Sequence, residues 1–253
     1  IGGIGQNTFN VDAGTDRIND FRNGDVLRVS AGATANVRGT ANDFVASTAT
    51  TNDNGTVNID VTTGVDVNMA AATVGTASED GYNIDASGNA DASVLVGSAA
   101  DDALTGGDAA DTITGGAGVD TIDGGSGDDT FIYADDSEIF DGSGGLVDSI
   151  DGGSGDSDAL RLDSTSAEFT IDSGDGVEAI SNVEKITAVA SSKAYSITFS
   201  EAAAESGDFD TIDLSGDSDA SGDNVIDVSA ATSASFTLIG SDGVDTIDGG
   251  SGD

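Results

Sequence analysis

Aspartates recur at a fixed interval of nine between Gly97 and Ile132: Asp102, Asp111, Asp120 and Asp129. Two residues after each stands a large apolar side chain: Leu104, Ile113, Ile122 and Phe131. The four blocks read GSAADDALT, GGDAADTIT, GGAGVDTID and GGSGDDTFI, glycine-rich in the first half. Adjacent glycines let the backbone take φ > 0 and curl until several carbonyls point inward. An aspartate at the end of the curl adds a carboxylate. Carbonyl and carboxylate oxygens suit a hard divalent cation, and Ca²⁺ accepts about six to eight such ligands in irregular geometry. The same turn-then-strand logic, with insertions, marks Asp148 in GLVDSID, Asp156 and Asp158 in GGSGDSDALRL, and Asp245 in GSDGVDTID as further metal ligands.

Other chemistries find little support. There is no histidine and no cysteine, which removes the commonest general bases, nucleophiles and transition-metal ligands. Acidic pairs such as Asp101/Asp102 and Asp128/Asp129 lie inside turns, where ligation or a solvated face explains them more cheaply than glycosidase chemistry. Strings of GxGxxG type arise by chance among 37 glycines and lack a strand-to-helix context. The three tyrosines, Tyr82, Tyr133 and Tyr195, read as core or strand-edge packing. The reading is of a protein that is not an enzyme.

A period of nine fits neither a helix of period 3.6 nor a long alternating strand. It describes a tight turn followed by a very short strand with one inward side chain, over and over. A single aliphatic anchor, about 1.5–3 kcal/mol of burial, is a thin core for nine ordered residues. Folding of this segment is therefore expected to be coupled to Ca²⁺. A disordered acidic linker is the bland alternative, but disorder does not hold an aliphatic residue in phase for four periods.

GGAGVDTID and GGSGDDTFI resemble the GGxGxDxUx nonapeptide of RTX (repeats-in-toxin) proteins. The resemblance implies an all-β fold: a parallel β-roll or β-helix with interspersed short-strand segments, two nonapeptides per coil, and Ca²⁺ between turns stacked on the same side. Carried over residue by residue, it pairs Asp102 with Asp120 and Asp111 with Asp129. Carbonyls at Gly106, Asp108, Gly115, Ala117, Gly124 and Ser126 complete the shells. The first copy departs from the pattern at Ser98 and Ala100, the second at Ala109. Near the start, GGIGQNTFN has Asn7 in place of aspartate. AGTDRINDFRNGDVLRV then resembles the exit segment after RTX runs, matching at Asp16, Ile18, Asp20, Phe21, Gly24, Asp25 and Leu27, with Asp16 carried as a ligand. GVEAISNVEKI resembles strand segments between RTX runs of bacterial surface-layer proteins.

The 253 residues carry 47 acidic against 7 basic side chains, a net charge of −40, and no basic residue lies between Arg38 and Arg161. Such a charge opposes compaction unless cations neutralise it, and it makes nucleic acid and anionic membrane poor partners. Residues 1–30 read as the end of an RTX run whose strand Val26–Val29 closes the roll. Residues 31–96 (TVNIDVTT, VDVNM, GYNIDAS, ASVLVG) read as short strands in a right-handed β-helix or a sandwich. Residues 97–162 form the calcium-binding β-roll, 163–239 a second strand-rich segment, and 240–253 the start of a further run. SEAAAE at 200–205 suggests one helical turn. NIDASGNADASVLVGSAADDALTGG and VIDVSAATSASFTLIGSDGVDTIDGG align with one inserted residue, their glycine pairs 143 apart, which predicts an internal repeat.

These features lead to a secreted, calcium-dependent structural repeat protein that self-assembles into a surface layer or extracellular fibre, a homo-oligomer without membrane insertion. The alternatives are the stalk of a giant RTX adhesin and the C-terminal export module of a secreted hydrolase or toxin. The resemblance implies type I secretion to the cell surface, with contact to cell-surface polysaccharide through another region. The sequence ends read as interrupted repeats, a window on a longer polypeptide.

Overall fold

The computed structural model describes residues 5–39, 43–62, 64–75, 81–140, 145–164, 168–189, 194–206, 208–218 and 223–251. Residues 2–4 of the opening GGIGQNTFN, Lys193, the side chain of Asp20 and the final Gly252–Asp253 fall outside this description. Apart from Phe140 and Leu146, which form an isolated antiparallel bridge, the strand pairings given by register are parallel. The chain divides into two compact units, Ile1–Asp129 and Thr130–Asp253. Among the described residues no helix is long and apolar enough to cross a membrane.

The first unit is a coil whose number of sides changes along the chain. One side stacks Thr8–Val11, Val26–Val29, Thr51–Asn52 and Thr73–Val74. A second stacks Thr15–Phe21, Thr34–Gly39, Thr56–Asp60, Asn83–Asp85, Ala103–Thr105 and Thr121–Asp123, and a third Phe44–Val45, Val67–Asn68, Val94–Val96 and Thr112–Thr114. From the strand at Ala103 onward the first side has no member. The coil shortens accordingly: Asn58 pairs with Asn83, Asn83 with Ala103, and Ala103 with Thr121. Three-sided coils thus give way to the two-sided, eighteen-residue coil of the nonapeptides. Residues 31–96 continue the same stack as residues 97–129, so the sandwich alternative is excluded. Val26–Val29 is also not the closing strand. It is an internal rung, paired with Thr8–Val11 on one edge and Thr51–Asn52 on the other.

Inward side chains form files that run from coil to coil. Val37, Ile59, Ile84, Leu104 and Ile122 line one, Phe44, Val67, Leu95 and Ile113 another, all buried. At one rung per coil, each file buries an aliphatic group at about 4.7–4.9 Å intervals. Phe21 stacks on Phe44 with ring centroids 4.3 Å apart, supplying bulk where the coil is three-sided and wide.

The second unit stacks Thr130–Tyr133, Ala159–Leu162, Lys185–Ala188, Thr211–Asp213 and Thr237–Ile239 in one sheet and Phe169–Ile171, Tyr195–Thr198, Val225–Asp227 and Thr246–Asp248 in another. Its apolar files are Phe131, Leu160, Ile186, Ile212 and Leu238, and Ile171, Ile197, Ile226 and Ile247. A helical turn forms at Glu201–Ala204, capped by the Ser200 hydroxyl accepting from the Ala203 N–H. Glu205 accepts from the N–H groups of Thr232 and Ser233 and holds the loop opposite. All three tyrosines are buried, as expected of core packing.

The internal repeat is present in detail. Ala86 N–H donates to Thr105 O, Asn89 N–H to Ala86 O, and Asp108 N–H to Asn89 O. In the second unit Val228 donates to Asp248, Ala231 to Val228, and Ser251 to Ala231. The two turns are superposable bond for bond.

Turn glycines differ sharply in what they tolerate. A Cβ on Gly106 would run into the Gly124 carbonyl, which is backbone and cannot swing aside, whereas a Cβ on Gly88 meets nothing within 4 Å. Gly106→Ala is therefore expected to lose several kcal/mol of stability and Gly88→Ala to change it by less than about 1 kcal/mol, measured by denaturant unfolding in calcium.

Candidate metal centre

The four in-phase aspartates are all buried, at most 3 % exposed. Each stands just before a short strand, so its side chain turns inward under the glycine curl. Two rails result. On one, the Tyr82 N–H donates to Asp102 Oδ1 (2.6 Å) and the Asp102 N–H to Asp120 Oδ1 (2.8 Å). On the other, the Ser93 N–H donates to Asp111 Oδ1 (2.6 Å) and the Asp111 N–H to Asp129 Oδ1 (2.7 Å). Asp102 and Asp120 thus share one rail and Asp111 and Asp129 the other, the pairing that the repeat resemblance implies.

The second oxygens of Asp102 and Asp111 fold back over their own turns. Asp102 Oδ2 accepts from the Ser98 N–H (2.5 Å) and Asp111 Oδ2 from the Gly107 N–H (2.5 Å). A Cβ on Gly97 would strike both the Gly115 carbonyl and Asp102 Oδ2; one on Gly106 would strike the Gly124 carbonyl and Asp111 Oδ2. The missing Cβ is therefore a small cradle where a carboxylate oxygen and a carbonyl of the next coil meet. Gly116 (φ +107°) and Gly125 (φ +96°) make the adjoining left-handed step.

Among the described residues no three acidic side chains converge on one point. A cation here draws its remaining oxygens from the backbone, as calcium loops do. The donor set is all hard oxygen, and no lysine or arginine lies between Arg38 and Arg161 to serve instead. Burial, helped by the neighbouring charge of Asp101, pushes the Asp102 carboxyl up to about 6, against the lowering effect of the amides that it accepts from. These residues fit a calcium ion. An ion bound there would supply positive charge to buried carboxylates in a stretch of sequence that holds no lysine or arginine.

Of the backbone positions, Gly115 and Gly124 face the preceding coil, and Gly107 O accepts from the Ser126 N–H. Gly106 is buried in the turn, while Asp108 and Ala117 are exposed. Asp245 is a structural twin of Asp102: its carboxylate accepts from the Ser241 N–H and hydroxyl as Asp102 does from Ser98. Asp158 is buried and folds over Gly152 in the same manner. Asp148 is buried and accepts from the Tyr133 hydroxyl at 2.7 Å. Asp16 and Asp156 are exposed and stand apart from the buried rails.

Three further rail positions lie outside the expected ligand set, and of these Asp25 falls on the exit-segment motif and Glu184 within GVEAISNVEKI. Glu184 Oε2 accepts the Asp158 N–H (2.8 Å), a glutamate where the nonapeptide has aspartate. Asn224 Oδ1 accepts the Tyr195 N–H (2.7 Å), an uncharged replacement. Asp25, buried, accepts from the N–H groups of Asn7 and Arg22. Only the position immediately before a short strand could have marked Glu184 and Asn224.

A parallel coil with carboxylate rails under glycine turns defines the class: a parallel β-solenoid. The family model for the RTX calcium-binding nonapeptide repeat (four copies) matches residues 87–131 and 237–253, so these segments are RTX calcium-binding repeats. No curated protein and no solved structure matches the chain.

Two outcomes follow for solution measurements. Asp120→Asn removes a buried rail charge and weakens calcium binding at least about tenfold, since even an outer partner of a metal ligand is worth that much. Asp108→Asn, exposed and contributing at most its carbonyl, leaves the titration unchanged. In metal-free protein the folded Asp102 carboxyl, near 6, lies above its ordinary value of 3.8, so ionisation opposes folding. That penalty is absent below the ordinary value and complete above about 6. Chelated protein accordingly keeps more β-type circular dichroism at pH 5 than at pH 7.5, with the order reversed in excess calcium.

Proposed function

We propose that the chain is part of a secreted, calcium-dependent structural protein that self-assembles into a surface layer or extracellular fibre. The observation that carries this reading is the pair of buried carboxylate rails. They make folding conditional on a divalent cation, abundant outside cells and scarce inside them. RTX repeats are typical of type I-secreted extracellular proteins, and that setting suits the requirement. Solenoids present long, regular flanks and stackable rungs, which favour lateral and axial association between copies. The strand segment GVEAISNVEKI, which resembles inter-repeat segments of surface-layer proteins, supports the layer form. Its Ile180, Val183 and Ile186 are fully buried and hold the turn against the coil.

Electron microscopy of the native material, with and without EGTA, tests the reading. A lattice or fibre that dissolves on chelation, together with loss of β-type circular dichroism, is the expected result. Isolated thin stalks assign the repeats to an adhesin spacer instead. Order and assembly that both persist in EGTA overturn calcium dependence altogether.

A further inference from the structure

One outward flank of the first unit carries a groove that the cation rails do not use. It has a volume of about 440 Å³ and lies across the second side of the coil. Its floor is an amide rail. The Asn58 Nδ2 donates to Asn36 Oδ1 (2.9 Å) and the Asn83 Nδ2 to Asn58 Oδ1 (2.8 Å). Strand register continues this row with Arg17 beside Asn36. The neighbouring row runs Arg38, Asp60 and Asp85.

Three properties point the groove at one ligand class. Asn58 and Asn83 each spend one N–H along the rail and keep a second donor for a partner, while Asn36 only accepts. These groups repeat at the strand spacing of about 4.7–4.9 Å, close to the advance of one sugar along an extended glycan. Arg17 is exposed and forms no ion pair among the described side chains, in a chain where carboxylates outnumber cations 47 to 7. Arg38 is held only by an open pair with Asp60 (3.4 Å, both more than 60 % exposed), which a ligand anion displaces readily. The local charge is permissive as well. The first 40 residues hold Arg17, Arg22, Arg28 and Arg38 against Asp12, Asp16, Asp20 and Asp25, an electroneutral stretch in a molecule of net charge −40. A guanidinium is the side chain best matched to a carboxylate or sulfate in two-pronged geometry.

We propose that this groove binds a linear polysaccharide bearing carboxylate or sulfate groups, its hydroxyls on the Asn36–Asn58–Asn83 rail and its anionic groups on Arg17 and Arg38. The expected cell-surface glycan contact is thereby assigned to this chain's own coil, independently of whether the chain assembles.

Isothermal titration of the full chain in saturating calcium, with oligogalacturonate, dextran sulfate and neutral dextran as probes, tests it. Binding of oligogalacturonate alone assigns carboxylate as the anion, and binding of dextran sulfate alone assigns sulfate. Arg17→Glu, on an exposed side chain, weakens binding at least about tenfold, the loss of one charge-assisted pair. Asn58→Ala weakens it also, with circular dichroism and calcium titration unchanged for both variants. Failure of both anionic probes, equal binding of neutral dextran, or affinity unmoved by both substitutions overturns the proposal.

Discussion

Carboxylates buried in file, in a stretch of sequence without lysine or arginine, are the constraint on which the rest of the molecule depends. Asp102 and Asp120 sit on successive rungs of one rail and Asp111 and Asp129 on the other. Like charges this close, in a low-dielectric interior, repel strongly. Donated amides offset part of the cost of burial, and the Asp102 carboxyl, held up to about 6 chiefly by desolvation with a contribution from Asp101, keeps the remainder. A divalent ion completes the balance. The glycines follow from the same requirement, because any Cβ at Gly97 or Gly106 fills the space where the oxygens meet.

The geometry of the coil decides where such rails can form. Three-sided coils have room for aromatic bulk such as Phe21 and Phe44 and keep their turns wide. Where the coil narrows to two sides, a turn of one rung lies directly over a turn of the next, and carbonyls meet carboxylates. In the second unit, coils lengthen again, and rail positions pass to Glu184 and Asn224. An asparagine makes the same amide contact with no charge to neutralise, so stacking there does not depend on an ion to the same degree.

The parts legible in the sequence are those with a strict period. Asp102, Asp111, Asp120 and Asp129 stood out because each repeats with a large apolar partner two residues on, and their pairing was what the resemblance to the RTX nonapeptide implied. The third side of the early coils was legible only in part. VDVNM marked Val67–Asn68, whereas Phe44–Val45 is two residues long and stands in no alternating run. Val26–Val29 has the burial alternation of a terminal strand and of an internal rung alike, so only its partners reveal it as internal. The asparagine rail escaped because Asn36, Asn58 and Asn83 are separated by coils of unequal length. Glu184 and Asn224 lack the glycine run that announces a turn.

The matched turns at Ala86–Asp108 and Val228–Ser251 have a genetic consequence. Each closes through bonds made within itself and to its next rung, so neither requires a particular distant residue. A duplicated or deleted coil leaves its neighbours with the same edge to grow upon. A change that adds or removes a whole coil is then accommodated better than one that alters a turn from within. Natural variation in this molecule is expected to fall on copy number rather than on the inside of a turn.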